Sequence, residues 1–185
     1  GFVRGTAGVQ RARSVAVGCV RMTERHLRGE PPTPSEIAAA VLDIEAAIDR
    51  AAEDVGFQGI STLVGLAGSV TTITAHALRL PSYQPDEIHL SRLPAAQVID
   101  ACSSLLSMTR AERAALPLIH PGRVDVIGAG ALAWRTFLHR LHRDVGINAV
   151  LPSAHALIDG IARALPCPRP PTPSRPGPRL TPRTP

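Results

Sequence analysis

Residues 61–79 read Ser-Thr-Leu-Val-Gly-Leu-Ala-Gly-Ser-Val-Thr-Thr-Ile-Thr-Ala-His-Ala-Leu-Arg. An apolar run over Ser61–Leu66 passes Gly65, Gly68 and Ser69 and enters a helical pattern over Val70–Leu80. Strand, glycine turn, helix is an order that aims backbone N–H groups and a helix N-terminus at one spot, which favours an anion such as phosphate. The same glycines also allow a plainer reading, a tight strand-to-helix turn with no ligand.

Outward from this stretch, strands alternate with helices, which predicts an α/β layered domain. Phe2–Arg4 and Arg13–Val17 read as a hairpin. Cys19–Leu27 reads as a short helix or turn. Thr33-Pro34-Ser35-Glu36 is a strong helix start, with Thr33 as cap, Pro34 in the first turn and Glu36 closing a capping box. That helix is predicted to run to about Asp54, with Ile37, Val41, Ile44, Ile48 and Val55 on one face and a solvated face of charges opposite. Ser61–Leu66 reads as a buried strand and Glu87–Ser91 as another. Pro94–Ser107 reads as a helix, Thr109–Glu112 as a second capping box, Arg123–His142 as a long helix. Ala149–Leu151 closes the pattern as a strand and Ala154–Leu165 as a helix. Residues 1–165 form the expected domain. Residues 166–185 hold half of the 18 prolines and read as a disordered or polyproline-like tail.

The 185 residues carry a formal charge of +5, which suggests nucleic acid at first sight. Four arginines of the tail, Arg169, Arg175, Arg179 and Arg183, supply most of it, and the 16 others nearly balance the 15 acids. Aromatics are 3%, too few for base-stacking platforms, so nucleic acid is not an expected partner. No run of about 18 apolar residues exists, so no membrane span is expected. Cys19, Cys102 and Cys167 are odd in number and far apart, which argues against a zinc site or a disulfide framework and makes a reducing cytoplasm the expected location. Gly1-Phe2-Val3-Arg4 has neither an initiator Met nor a signal-peptide layout, and reads as a chain whose true start is missing.

Three motifs imitate chemistry. Gly128-Ala129-Gly130-Ala131-Leu132-Ala133 resembles a dinucleotide fingerprint, but the preceding apolar run is short and broken by Asp125. The acid expected about 20 residues on is also missing. Close helix packing is the better reading of those small residues. His139 and His142 share a helix face without a carboxylate partner and read as surface histidines. Ser153, His155 and Asp159 are triad residue types, but triads converge in space rather than in sequence, and these read as cap and surface groups. No P-loop is present.

Six segments in fixed order resemble the C-terminal half of the catalytic region of the exopolyphosphatase and guanosine-pentaphosphate phosphohydrolase (Ppx/GppA) family, especially its actinobacterial-type members. They are Ser14–Arg25, Gly65–Thr72, Ile88–Arg92, Met108–Pro117, His120–Ala131 and His155–Ile161. The resemblance implies a partial ribonuclease-H-like lobe of the actin/Hsp70/sugar-kinase superfamily, a mixed sheet with flanking helices. It implies hydrolysis of terminal phosphoanhydride bonds of polyphosphate or guanosine polyphosphate, with Mg²⁺ and a carboxylate that activates water. Gly68, Ser69 and Val70 match the loop that faces the cleft in that superfamily. The resemblance makes them phosphate contacts, through backbone N–H groups and the Ser69 hydroxyl.

Arg123 and Asp125 match a family motif at a helix start, where capping and inter-element salt bridging are expected. The resemblance covers the second lobe only. The first lobe, the general base and the principal metal carboxylate are expected to be absent, so no catalytic residue and no Mg²⁺ ligand are assigned in this chain. Ser69 stands where the family usually has Thr. Ala154 and Ala156 replace two acids. Inactivity alone follows as an expectation, with a homodimer or an N-terminal lobe as protein partner. The alternatives are a non-enzymatic module that binds phosphate compounds or a partner, and, with a poorer motif fit, a sugar-kinase relative.

Overall fold

The computed structural model describes residues 1–6 and 8–164; the expected tail, 166–185, lies outside them. Helix α2 (Pro34–Val55) starts as its sequence predicts. Thr33 accepts the Glu36 N–H, and the Glu36 carboxylate accepts the Thr33 N–H at 2.7 Å. Glu36 also accepts the N–H groups of Arg28 and Gly29, so one carboxylate organises the whole approach to the helix. Those donors hold its pKa down at about 2, against an ordinary 4.5. A carboxyl depressed by folding stabilises above its unfolded pKa and loses that contribution as pH falls through the folded one. Glu36→Gln is therefore expected to destabilise the protein at pH 6 and to shrink in effect between about pH 4.5 and 2, as followed by urea melts across that range.

Helix α2 buries Ala40, Ile44, Ala47, Ile48, Ala51 and Val55, while Ile37 and Val41 are only partly covered. Its charged face is not simply solvated. Asp43 pairs with Arg25 and His26 of α1 (Cys19–His26), and Glu45 and Asp49 pair with Arg140. Side chains on neighbouring helices set these contacts, which the periodicity of α2 alone does not contain.

Among the described residues the strands form two separate sheets. A hairpin pairs β1 (Phe2–Gly5) with β2 (Val9–Arg13), antiparallel, Phe2 opposite Arg13. The return strand falls four residues earlier than the sequence pattern suggests. It is exposed along its whole length, so no hydrophobic alternation marks it. The second sheet is mixed, in the order β3 (Val64–Leu66), β5 (Ala149–Ser153), β4 (Leu93–Pro94). β3 and β5 are parallel, with Leu66 opposite Ser153; β4 is antiparallel to β5.

Two expectations fail here. Ser61–Leu66 is not a buried strand: β3 is an edge strand of three residues, with only Gly65 covered and Val64 and Leu66 about half exposed. Glu87–Ser91 is not a strand either. Pro85-Asp86-Glu87-Ile88 forms one helical turn, α4, because proline and acids suit a first turn. The segment beyond it joins the sheet margin through the Leu90 N–H on the Pro152 carbonyl, 2.7 Å.

Helices flank this sheet: α3 (Gly68–Ala77), α5 (Ala95–Ser107), α6 (Arg110–Ala114) and α7 (Ile127–Val145), with α8 (Leu157–Ala164) following β5. Ile73, Ile88, Val98, Leu105, Ile127, Leu138 and Val150 form one core. Met22, Ile44, Ile48, Leu132 and Leu141 form a second, between α2 and α7. Gly65 is fixed by close approach. A Cβ there would lie 2.7 Å from Val70 Cγ1 and 2.9 Å from the Trp134 ring. Gly65→Ala is expected to cost about 2 kcal/mol by overpacking, seen as a lower urea midpoint with an unchanged slope.

Candidate anion site at the start of helix α3

β3 ends at Leu66, and the chain turns at Ala67 into α3. Ala67 is held at φ 79°, a left-handed value unusual for a residue with a side chain. It offers no side-chain cap, and the first turn of α3 has no acid. The first intrahelical bond is the Thr71 N–H on the Ala67 carbonyl. The N–H groups of Gly68, Ser69 and Val70 are therefore the orphan donors of a helix start. This is a marked contrast with α2 and α6, whose starts are closed by the capping boxes of Thr33 with Glu36 and Thr109 with Glu112. α1 also starts without a side-chain cap or acid, at Gly18.

The three residues expected to touch phosphate thus fall together, with different reach. Gly68 is half-buried at the first position of the helix. The Val70 side chain turns inward against Gly65, which leaves its N–H as its polar offering. The Ser69 side chain lies against α7. A Cβ on Gly130 would sit 2.7 Å from Ser69 Oγ and 3.8 Å from Cys19 Cβ. The glycines of the 128–133 stretch therefore serve helix packing, as the sequence suggests. Gly130 lets the starts of α1 and α3 close on α7.

Sequence reasoning misplaces Arg123. Its guanidinium lies over Gly68, where an added Cβ would come within 2.3 Å of it. It forms no hydrogen bond or ion pair among the described residues, whereas Asp125 pairs with Arg110 as expected. The side chain belongs to the last residue of the turn Pro121–Arg123, and Arg113 holds the next residue, Val124, by its carbonyl. Arg113 is 3% exposed. It donates to the Val124 carbonyl (3.1 Å), the Met108 carbonyl (2.8 Å) and both oxygens of Glu30 (3.0 and 2.7 Å). Two uncapped helix starts and a guanidinium without an acid beside it make a positive locus. It lies at the carboxyl ends of the parallel strands β3 and β5, where open α/β sheets place ligands.

The other candidates separate. Ser153 Oγ exchanges hydrogen bonds with the backbone of His155, and Asp159 accepts the Ala156 N–H at the start of α8, so no triad forms. His155 instead stacks on His89, with ring centroids 4.2 Å apart. Cys102 is buried, and burial pushes its thiol up to about 12, which removes it as a nucleophile. Among the described residues no three His, Cys, Asp or Glu side chains converge. The groups around Gly68 are N–H donors, a hydroxyl and a guanidinium. That set suits an anion and does not fit the Mg²⁺ that the resemblance implies. Among the described residues no helix is long and apolar enough to cross a membrane.

Residues 3–162 match the model of the Ppx/GppA phosphatase family. The chain is 40% identical over 164 residues to exopolyphosphatase 2 of Mycobacterium tuberculosis, covering 89% of this chain and 51% of that protein. It therefore spans about half the length of the curated relatives it matches. A crystal structure described as an exopolyphosphatase-like protein superposes with a TM-score of 0.80 at 40% identity, over 85% of this chain and 52% of that one. A Ppx/GppA phosphatase from Aquifex aeolicus superposes with a TM-score of 0.74 at 22% identity, over 85% and 50% of the two chains, a likeness of fold alone. With the six ordered segments and the mixed sheet accounted for, the chain belongs to the Ppx/GppA phosphatase family.

Proposed function

We propose that this chain is the phosphate-holding portion of an exopolyphosphatase-like hydrolase, which releases terminal phosphate from polyphosphate or guanosine polyphosphate. The observation that carries the reading is the Arg123 guanidinium lying over Gly68 at an uncapped helix start. In this reading the N–H groups of Gly68, Ser69 and Val70, the Ser69 hydroxyl and Arg123 neutralise a phosphoryl group. Phosphoryl transfer needs such positioning and charge neutralisation more than covalent help. The architecture is a partial ribonuclease-H-like lobe of the actin/Hsp70/sugar-kinase type over residues 1–165. The groups that activate water and hold Mg²⁺ come from the half of the relatives that this chain does not match, as a joined or separate N-terminal lobe. The chain alone binds without turning over.

The test is calorimetric titration with inorganic tripolyphosphate. The wild-type chain is expected to bind, and Gly68→Ala to bind at least about fivefold more weakly, since its methyl expels the guanidinium without changing net charge. Polyphosphate hydrolysis is expected only when the matching N-terminal half of a relative is added. Phosphate release by this chain alone would sink the division of labour. Equal binding by wild type and Gly68→Ala would sink the site.

A further inference from the structure

His89 follows the single turn of α4, and its ring is tied to a distant part of the chain. Its Nδ1 accepts the Ala154 N–H at 3.3 Å, with Ser153 Oγ at 3.5 Å. Accepting at Nδ1 places the ring proton on Nε2. The next residue, Leu90, donates its N–H to the Pro152 carbonyl at 2.7 Å. It does so at φ 58°, a left-handed value that strains a bulky residue. The third contact is the stack of His155 on His89, with ring centroids 4.2 Å apart and the planes 27° from parallel. Residues 89–90 and 152–155 thus form a clasp at the end of β5. The described residues of α8, 158–163, are all exposed, so this helix has little cover of its own beyond the clasp that precedes it.

We infer that the His89–His155 clasp is a pH-sensitive latch for α8, closed while both rings are neutral and opened by protonation. A proton added to neutral His89 goes to Nδ1 and turns the acceptor of the Ala154 N–H into a donor facing a donor. A proton on His155 sets a cation against the same ring. The strained Leu90 gains when the segment lets go. The surrounding charges do not supply the switch. β3, β4 and β5 carry no charged side chain. Asp159, in the first turn of α8, is held below the ordinary carboxylate range by the Ala156 N–H first, with His155 and Arg163 adding to it. It therefore keeps its charge across the range in which histidines change theirs. Asp86, Glu87 and Arg92 flank His89 in the chain, and all three are exposed.

The experiment is nuclear magnetic resonance of the isotope-labelled full chain, with amide exchange corrected for its intrinsic pH dependence. At pH 8 the His89 ring nitrogens are expected to report the Nε2–H tautomer, and the amides of Ala154 and α8 to be protected. Between about pH 8 and 5, the span in which histidine side chains charge, that protection is expected to fall about tenfold or more. Protection in α2 and α7 is expected to stay within about twofold. His89→Asn offers the Ala154 N–H a carbonyl acceptor that does not titrate, and is expected to hold α8 equally at both pH values. An Nδ1–H tautomer of His89 at pH 8 overturns the inference in the wild type alone, whether or not the variant folds. So does an α8 that is unprotected at pH 8 or equally protected at both pH values. A loss shared in full by α2 and α7, or as large in His89→Asn as in wild type, overturns it as well.

Discussion

Arg113→Met is expected to destabilise the protein by about 3 kcal/mol, the largest stability effect of a single polar side chain here. The guanidinium is almost fully buried and serves two main-chain carbonyls and a carboxylate at once. A methionine fills the volume and leaves the Val124 and Met108 carbonyls without their donor, at about 1–3 kcal/mol for each buried group. Glu30 is partly exposed and returns to water, so the broken ion pair adds little. For a domain of this size the melting temperature should fall by about 6–12 °C. Arg110 makes a useful contrast. It pairs with Asp125 on the surface, both side chains about 60% exposed, and Arg110→Met should barely move the melt. Equal melts for the two variants would show that the brace around Val124 is dispensable.

Arg123→Ala is expected to weaken tripolyphosphate binding about ten- to a hundredfold while leaving the melting temperature in place. A guanidinium bonded to a phosphate contributes about 1.5–3 kcal/mol, and each 1.4 kcal/mol is tenfold in affinity. Stability is spared because this guanidinium holds no hydrogen bond or ion pair among the described residues. The slope of affinity against salt should also become shallower, since one charge is lost from the contact. Arg50→Ala, on an exposed face of α2, is the charge-matched control and should change neither quantity. A loss shared by both variants would mean general attraction to a basic protein rather than a site at Gly68.

The helices were readable where local chemistry decides them. Thr33 and Thr109 announce their helices by capping boxes, and both boxes form. Gly128 and Gly130 were separable from a cofactor loop because the helical pattern continues through Trp134, Phe137 and Leu141. The strands were harder. β2 carries no buried residue, and β3 and β4 have three and two residues, so there is little period for a pattern to reveal. The candidate site was half legible. Gly68, Ser69 and Val70 are contiguous, and their order of strand, turn and helix is visible in one line. Arg123 lies 55 positions away from Gly68 and reaches it only through the fold. Its motif partner Asp125 shared the expectation of capping and salt bridging, and the ion pair forms at Asp125 alone.

The margin formed by β3 governs how this chain behaves when concentrated. Among the described residues, Val64 and Leu66 expose apolar side chains on a strand with a neighbour on one side only, and Val3 and Val9 of the hairpin are also uncovered. Such a margin invites pairing with a further strand from another molecule. Its brevity limits that tendency, because three residues with a glycine at the centre offer few ladder bonds and little side-chain grip. Self-association should therefore be weak, reversible on dilution and relieved by a charge at Val64, so crystallisation or spectroscopy at high concentration would be helped by Val64→Lys.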